Sequence, residues 1–135
     1  MKHTHLIWKE LATKQVYQCR VFSVRDTTSE APDGTKSVFS VIDAPDWAIV
    51  IPLLENTAGR HFLMVRQWRH GSRSLSLEFP GGVLEEGEAE EAGAQRELTE
   101  ETGYRAGSII KLGEFSPNPA IMSNRVHVFL AKDLT

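Results

Sequence analysis

Cysteine is nearly absent from this 135-residue chain: Cys19 stands alone, so neither an internal disulfide nor a multi-cysteine zinc site can form. A reducing compartment, the cytoplasm by default, is the expected setting. Long hydrophobic runs are also missing. The longest, Ala48 to Leu54, contains Pro52 and falls far short of the roughly 20 residues that a membrane-spanning helix needs. The amino terminus, MKHTHLIWKELATK, is polar every few positions and holds no apolar run of signal-peptide length. No Gly-x-Ser-x-Gly elbow and no phosphate loop ending in Gly-Lys-Ser/Thr occurs. The five histidines (3, 5, 61, 70 and 127) show no helical metal-ligand spacing and are read as structural. Internal repeats, low-complexity segments and interdomain linkers are lacking as well.

What is present fits one soluble globular domain, for which roughly 100 to 200 residues is the usual size. With 41% hydrophobic and 24% charged residues, the chain can form a core and is neither disordered nor collagenous in composition. Its formal charge of −3 hides an asymmetry. Eight of the 18 acidic residues lie between Gly82 and Tyr104 against one base, Arg96, so this 23-residue stretch carries −7 and the remainder +4. A charge of +4 is too thin for the basic stripe of a nucleic-acid-binding protein.

Val16 to Val24 and Ser37 to Ile42 are rich in β-branched and aromatic residues, and Pro-Asp-Gly (32 to 34) supplies a turn between them. Proline presets one turn dihedral and glycine accepts the positive one, so a two-stranded antiparallel ribbon is expected. Trp47 to Leu54 and His61 to Trp68 read as a second hairpin around a turn at 55 to 60. Leu75, Leu77 and Phe79 alternate with Ser76 and Glu78, the pattern of a half-buried strand. From about Glu88 to Thr102 nearly every residue is a helix former, acidic residues crowd the first turn and Gly103 provides the stop. Ile109 to Phe115 and Arg125 to Ala131 read as two further strands around the loop 116 to 124.

On the expected helix, Glu97, Glu100 and Glu101 stand at i, i+3 and i+4, which puts their carboxylates on one face with Cβ atoms roughly 5 to 6 Å apart. Like charges so close repel. A solvated acidic face is one resolution; a hard, oxygen-preferring divalent cation such as Mg²⁺, shared with substrate phosphates, is the other. The spacing decides between them. Gly82, Glu88, Arg96, Glu97, Leu98, Glu100, Glu101 and Gly103 resemble the Nudix box, the 23-residue motif of the Nudix hydrolase family. Tyr104 departs from the aliphatic residue usual at its position, and a core-facing aromatic should be tolerated there. Physically, Gly81 and Gly82 let the backbone approach a phosphate or metal. Arg96 lies within one turn of Glu100 and can fix a carboxylate rotamer. Glycine at 103 can take the left-handed cap conformation.

The resemblance implies a catalytic set of Arg96, Glu97, Glu100 and Glu101. Glu97 and Glu101 are then the main metal ligands, Glu100 assists and the Gly81 carbonyl completes the shell; Mg²⁺ is the cofactor, with Mn²⁺ as a substitute. It extends beyond the box through Trp8, Pro-Asp-Gly (32 to 34), Asp46-Trp47, Val65 to Gly71, Leu77 to Gly82 and Pro119, and is closest to the ADP-ribose pyrophosphatase branch. Hydrolysis of a diphosphate linking a nucleoside to another group is implied, with ADP-ribose giving AMP and ribose 5-phosphate. Nucleotide sugars, other nucleotides, or ADP-ribose sensing without turnover are the alternatives. Arg69 and Arg66, with Arg73 and His70, place positive charge beside the acidic site, and arginine suits bidentate phosphate contact; an exposed basic loop is the bland reading. Trp8 and Phe39 are candidates to stack on the base, with Gly82 at the phosphates, while Trp47 and Trp68 are expected to pack.

No Asp or Glu occurs between Glu114 and Asp133, so the loop 116 to 124 offers no general base. Glu100, another box glutamate, the metals alone or a base in sequence that this chain lacks would then activate water, with Glu100 the favoured candidate. The implied fold is the Nudix α/β/α sandwich, a mixed sheet between helices in one domain spanning 1 to 135. Residues 1 to 45 would be an amino-terminal ribbon of the kind that builds a dimer in relatives, and 46 to 135 the catalytic core. The chain stops at Thr135, before the carboxy-terminal helix usual in the family. An uncovered apolar sheet face is therefore expected, through truncation or for a partner to cover.

Overall fold

A computed structural model describes residues 3 to 135, which divide into two compact units: 3 to 45 with 116 to 124, and 46 to 115 with 125 to 135. The first unit opens with a 3₁₀ turn, Thr4–Leu6, and is built on an antiparallel sheet of β1 (Lys9–Gln18), β2 (Ser23–Glu30) and β3 (Lys36–Asp43) in that order. Three strands stand where two were expected. Val16 to Val24 is not one strand, because the chain reverses at 19 to 22, and the polar stretch before the Pro-Asp-Gly turn is β2 itself. Its polarity is absorbed locally. Thr27 and Ser29 are buried on one side, Ser40 Oγ donates to Asp26, and Arg25 Nε pairs with Asp43 at 2.7 Å. The turn forms as expected: the Gly34 amide donates to the Ala31 carbonyl at 2.9 Å, Gly34 has φ +88°, and Asp33 Oδ1 accepts from the Thr35 amide at 2.9 Å. In the same unit Met122 bridges to Ile42 in parallel sense.

The second unit is organised around β4 (Trp47–Asn56). Its near-continuous apolar run is the pattern of a strand suited to cover on both faces, and both of its edges are paired. Along one edge β4 runs parallel to β10 (Val126–Leu134), which is itself antiparallel to β9 (Ala106–Phe115). Along the other edge β4 has two antiparallel partners: β8 (Gly81–Val83) at residues 47 to 49, and β5 (Gly59–Phe62) at residues 53 to 56. The expected strand His61 to Trp68 is thus split. Its first part is β5, and its second is β6 (Val65–Arg69), which pairs with β7 (Ser74–Glu78) in a separate two-stranded ribbon.

One α-helix, α1 (Glu90–Thr102), is found among the described residues. It begins two residues later than the composition indicates, at an Ala89 cap, and ends on Gly103 at φ 77° with the Gly103 amide donating to Thr99 O at 2.9 Å. Ala94 and Leu98 point from it into a core with Ala48, Val50, Leu84, Phe129 and Ala131. Leu98 is fully buried, and truncating such a leucine to alanine costs about 2–5 kcal/mol. This mixed α/β layering is that of the expected sandwich on its α1 side. The alternate positions Ile49, Ile51, Val128 and Leu130 face the other way, with Ile110 beside Leu130 and 42% exposed. Among the described residues no helix covers that face. The ribbon β6–β7 is also bare: Leu75 and Leu77, expected to be buried, are 64% and 57% exposed, and Trp68, expected to pack, is 53% exposed.

Candidate active site

The glutamates of α1 meet the glycines of β8 inside the second unit. Because β8 is held antiparallel to β4, Gly82 lies against Glu97: a Cβ there would come within 2.6 Å of Glu97 Oε2. Glu97 is only 9% exposed. On the next turn, Glu101 Oε2 accepts from the Gly81 amide at 3.0 Å, and Oε1 accepts from Gln67 Nε2 at 2.6 Å. Gly81 has no room for a side chain either, since its Cβ would overlap the Ala48 carbonyl.

Arg96 organises the rest. Its Nε and Nη2 grip Glu88 at 2.9 Å each, Nη1 donates to Glu97 Oε1 at 2.7 Å and to Glu100 Oε2 at 3.2 Å, and Nη2 also reaches the Val83 carbonyl at 3.1 Å. The fork therefore ties the loop before α1, strand β8 and two helix carboxylates into one network. Hydrogen bonds from Arg96, joined by the Glu85 amide, hold the Glu88 carboxyl down at about 2. The same bonds, from Glu88 and then Glu97, raise the Arg96 guanidinium further above its already high value. Glu100 is the open member, its side chain 59% exposed.

Of the residues named from the sequence, the structure brings together Gly81, Gly82, Glu88, Arg96, Glu97, Glu100 and Glu101. Leu98 anchors the helix beneath them and Gly103 ends it. Tyr104 is half-buried and its carbonyl accepts from Thr99 Oγ1 at 3.1 Å. Arg69, on β6, forms a bidentate pair with Glu78 rather than standing free. That pair holds the Glu78 carboxyl at about 2. Arg66, on the same strand, is exposed and has no ion pair among the described residues. Trp8 and Phe39 belong to the first unit, where they meet edge to face at 5.1 Å and are both exposed. Gln67, which donates to Glu101, and Glu78, which pairs with Arg69, are further candidate site residues that sequence reasoning missed. Gln67 alternates with Arg66 and Trp68 along β6, and that strand period was the available signal.

The donor set, three carboxylates and backbone carbonyls around glycines that a Cβ would crowd, is all oxygen. It fits a hard divalent cation. The NUDIX domain model matches residues 44 to 135, and the chain belongs to the Nudix hydrolase family. It is 34% identical over 127 residues to an ADP-ribose pyrophosphatase of Bacillus subtilis (strain 168), covering 94% of this chain and 67% of that protein. It is 32% identical over 127 residues to the methanol dehydrogenase activator of Bacillus methanolicus, with the same coverage of 94% and 67%. A crystal structure of an ADP compounds hydrolase superposes with a TM-score of 0.83 at 26% identity, over 95% of this chain and 68% of that one. The chain thus spans about two thirds of the length of these relatives.

Proposed function

We propose that this chain hydrolyses the diphosphate of a nucleoside diphosphate joined to another group, in a Mg²⁺-dependent reaction, with ADP-ribose as the substrate and AMP and ribose 5-phosphate as products. The observation that carries the reading is the Arg96 network, which fixes Glu97 beside Gly82 and leaves Glu100 open, next to a Glu101 held on Gly81. Similarity to an ADP-ribose pyrophosphatase supports the substrate.

Glu97, Glu100 and Glu101, with the Gly81 carbonyl, would hold the metal. Bound there, Mg²⁺ supplies positive charge that offsets the diphosphate and makes a bound water more acidic. The protein's own residues do the rest. Arg96 keeps the glutamates in place, Glu100 takes the proton of the attacking water, and Gly82 lets the substrate approach the backbone. Water attacks one phosphorus, the bridging P–O bond breaks and the leaving phosphate keeps the bridging oxygen. Arg66 and Arg69 receive the diphosphate, Arg69 being oriented by Glu78. Trp8 and Phe39, which pair edge to face within the first unit, are the candidates to stack on the base.

We place the protein in the cytoplasm, where Cys19 stays a free thiol, and infer that it works as a homodimer through the amino-terminal sheet. All ten residues of the edge strand β1 are exposed, Leu11, Val16 and Tyr17 among them. The functional test is AMP release from ADP-ribose with Mg²⁺, run beside a nucleotide-sugar panel. Glu101→Gln is expected to lower kcat by at least about a hundredfold. Unchanged turnover in that variant would sink the proposed site; turnover of another substrate alone would move the specificity.

A further inference from the structure

A second group of metal-ligating side chains lies outside the box. His127, on the central strand β10, is 3% exposed. Its Nε2 lies 3.0 Å from Asp46 Oδ2. A carboxylate only accepts, so Nε2 donates to Asp46 and Nδ1 is the ring nitrogen left to act as a ligand. Nδ1 is buried, has no hydrogen-bond partner among the described residues, and faces Glu90 Oε2 at 3.2 Å and Glu114 Oε2 at 3.5 Å. Nδ1 and the two carboxylate oxygens all lie within 4.8 Å of one another, and the positive centre now beside the oxygens is the Lys111 ammonium. Glu114 is the cross-strand neighbour of His127 on β9, and Glu90 is the first residue of α1, so three separate elements converge on one point.

We propose that His127 Nδ1, Glu90 and Glu114 form a second divalent-cation site, of zinc type, separate from the glutamates of the box. The distances match the chemistry. Bonds of 2.0 to 2.1 Å in a tetrahedral shell place ligand atoms about 3.3 Å apart, close to the 3.2 and 3.5 Å found. One imidazole nitrogen among carboxylates selects a borderline metal over the Mg²⁺ that an all-oxygen set prefers. Asp46 on the far ring nitrogen is the outer partner that metal-bound histidines regularly have. The Lys111 ammonium rests against both glutamates, and Arg125 donates to the other oxygen of Glu114 at 3.0 Å. This position already attracts a cation. Lys111 is a competitor able to swing out, its side chain being 39% exposed. A bound ion would clamp the start of α1 to β9 and β10.

Cobalt(II) chloride, with zinc chloride as competitor, is the probe, added to the full chain in excess Mg²⁺ so that the box is occupied. The expected result is visible d–d absorption of low-coordinate Co²⁺ that saturates at one equivalent and is bleached by Zn²⁺, together with a higher Tm when Zn²⁺ is added. Glu114→Gln and Glu90→Gln should each weaken binding at least about tenfold, and Lys111→Met should tighten it. His127 is buried, so these exposed or half-exposed variants carry the test, and Glu97→Gln should leave the cobalt spectrum unchanged. No d–d bands in either the wild type or Lys111→Met overturns the site. So does binding that survives Glu114→Gln and disappears in Glu97→Gln, because that places the ion at the box.

Discussion

At Gly82 an added Cβ would meet the far end of the Glu97 side chain at 2.6 Å, whereas at Gly81 it would run into the backbone of β4. The first obstacle can move and the second cannot. Gly82→Ala should therefore fold but push Glu97 off its position, and a displacement of about 1 Å at a reacting site is enough for a hundredfold loss of turnover. Gly81→Ala should lose about 1–3 kcal/mol of stability through overpacking. Thermal melts run beside the turnover assay separate the two, and the reverse pattern would refute the assignment. Residues of this kind were legible because the box is continuous in sequence: Gly82, Glu88, Arg96 and the glutamates sit at readable intervals. His127 was not. Its neighbours Glu90, Glu114 and Asp46 come from the helix, another strand and a loop, so no spacing along the chain records them, and a lone histidine is indistinguishable from a packed one. Arg69 reads as positive charge for a phosphate, but its side chain reaches back along the β6–β7 ribbon to Glu78, whose register partner is Val65.

At the level of elements, the link from Glu88 to Arg96 fastens the loop before α1 to the helix itself. An ordinary glutamate titrates near 4.5, and this one is held at about 2. The folded value is the lower of the two. The stabilisation is thus fully present above pH 4.5 and is lost as the pH falls from 4.5 towards 2. The expected outcome is a Tm difference between wild type and Glu88→Gln that is constant at neutral pH and shrinks below pH 4.5. A difference independent of pH would show that the pair contributes packing rather than charge. Helix α1 was legible from composition, since its formers and its Gly103 stop are local properties. Strand β2 was not, because Asp26 and Arg25 find partners on β3, 14 and 18 residues further along the chain. Leu75 and Leu77 alternate as a buried strand should, yet alternation tells only that two faces differ, not which of them is covered.

For the molecule as a whole, the exposed edge strand β1 carries Leu11, Val16 and Tyr17 in the open, and an edge of that kind invites pairing unless it is occupied. Light scattering after size exclusion should return about twice the 15.1 kDa chain mass. The double variant Leu11→Glu with Tyr17→Glu should return a single chain. A wild type that is monomeric at every concentration would remove the dimer. Strand β8 has a different standing in the architecture. It holds to β4 through only three pairs, Trp47 to Ile49, and the Gly81 N–H is capped not by the ladder but by the Glu101 carboxylate. That hydrogen is consequently a gauge of the proposed metal site alone. Its exchange with solvent follows the separation of α1 from the glycines, an opening the molecule can make while every amide along the long β4–β10 ladder stays protected.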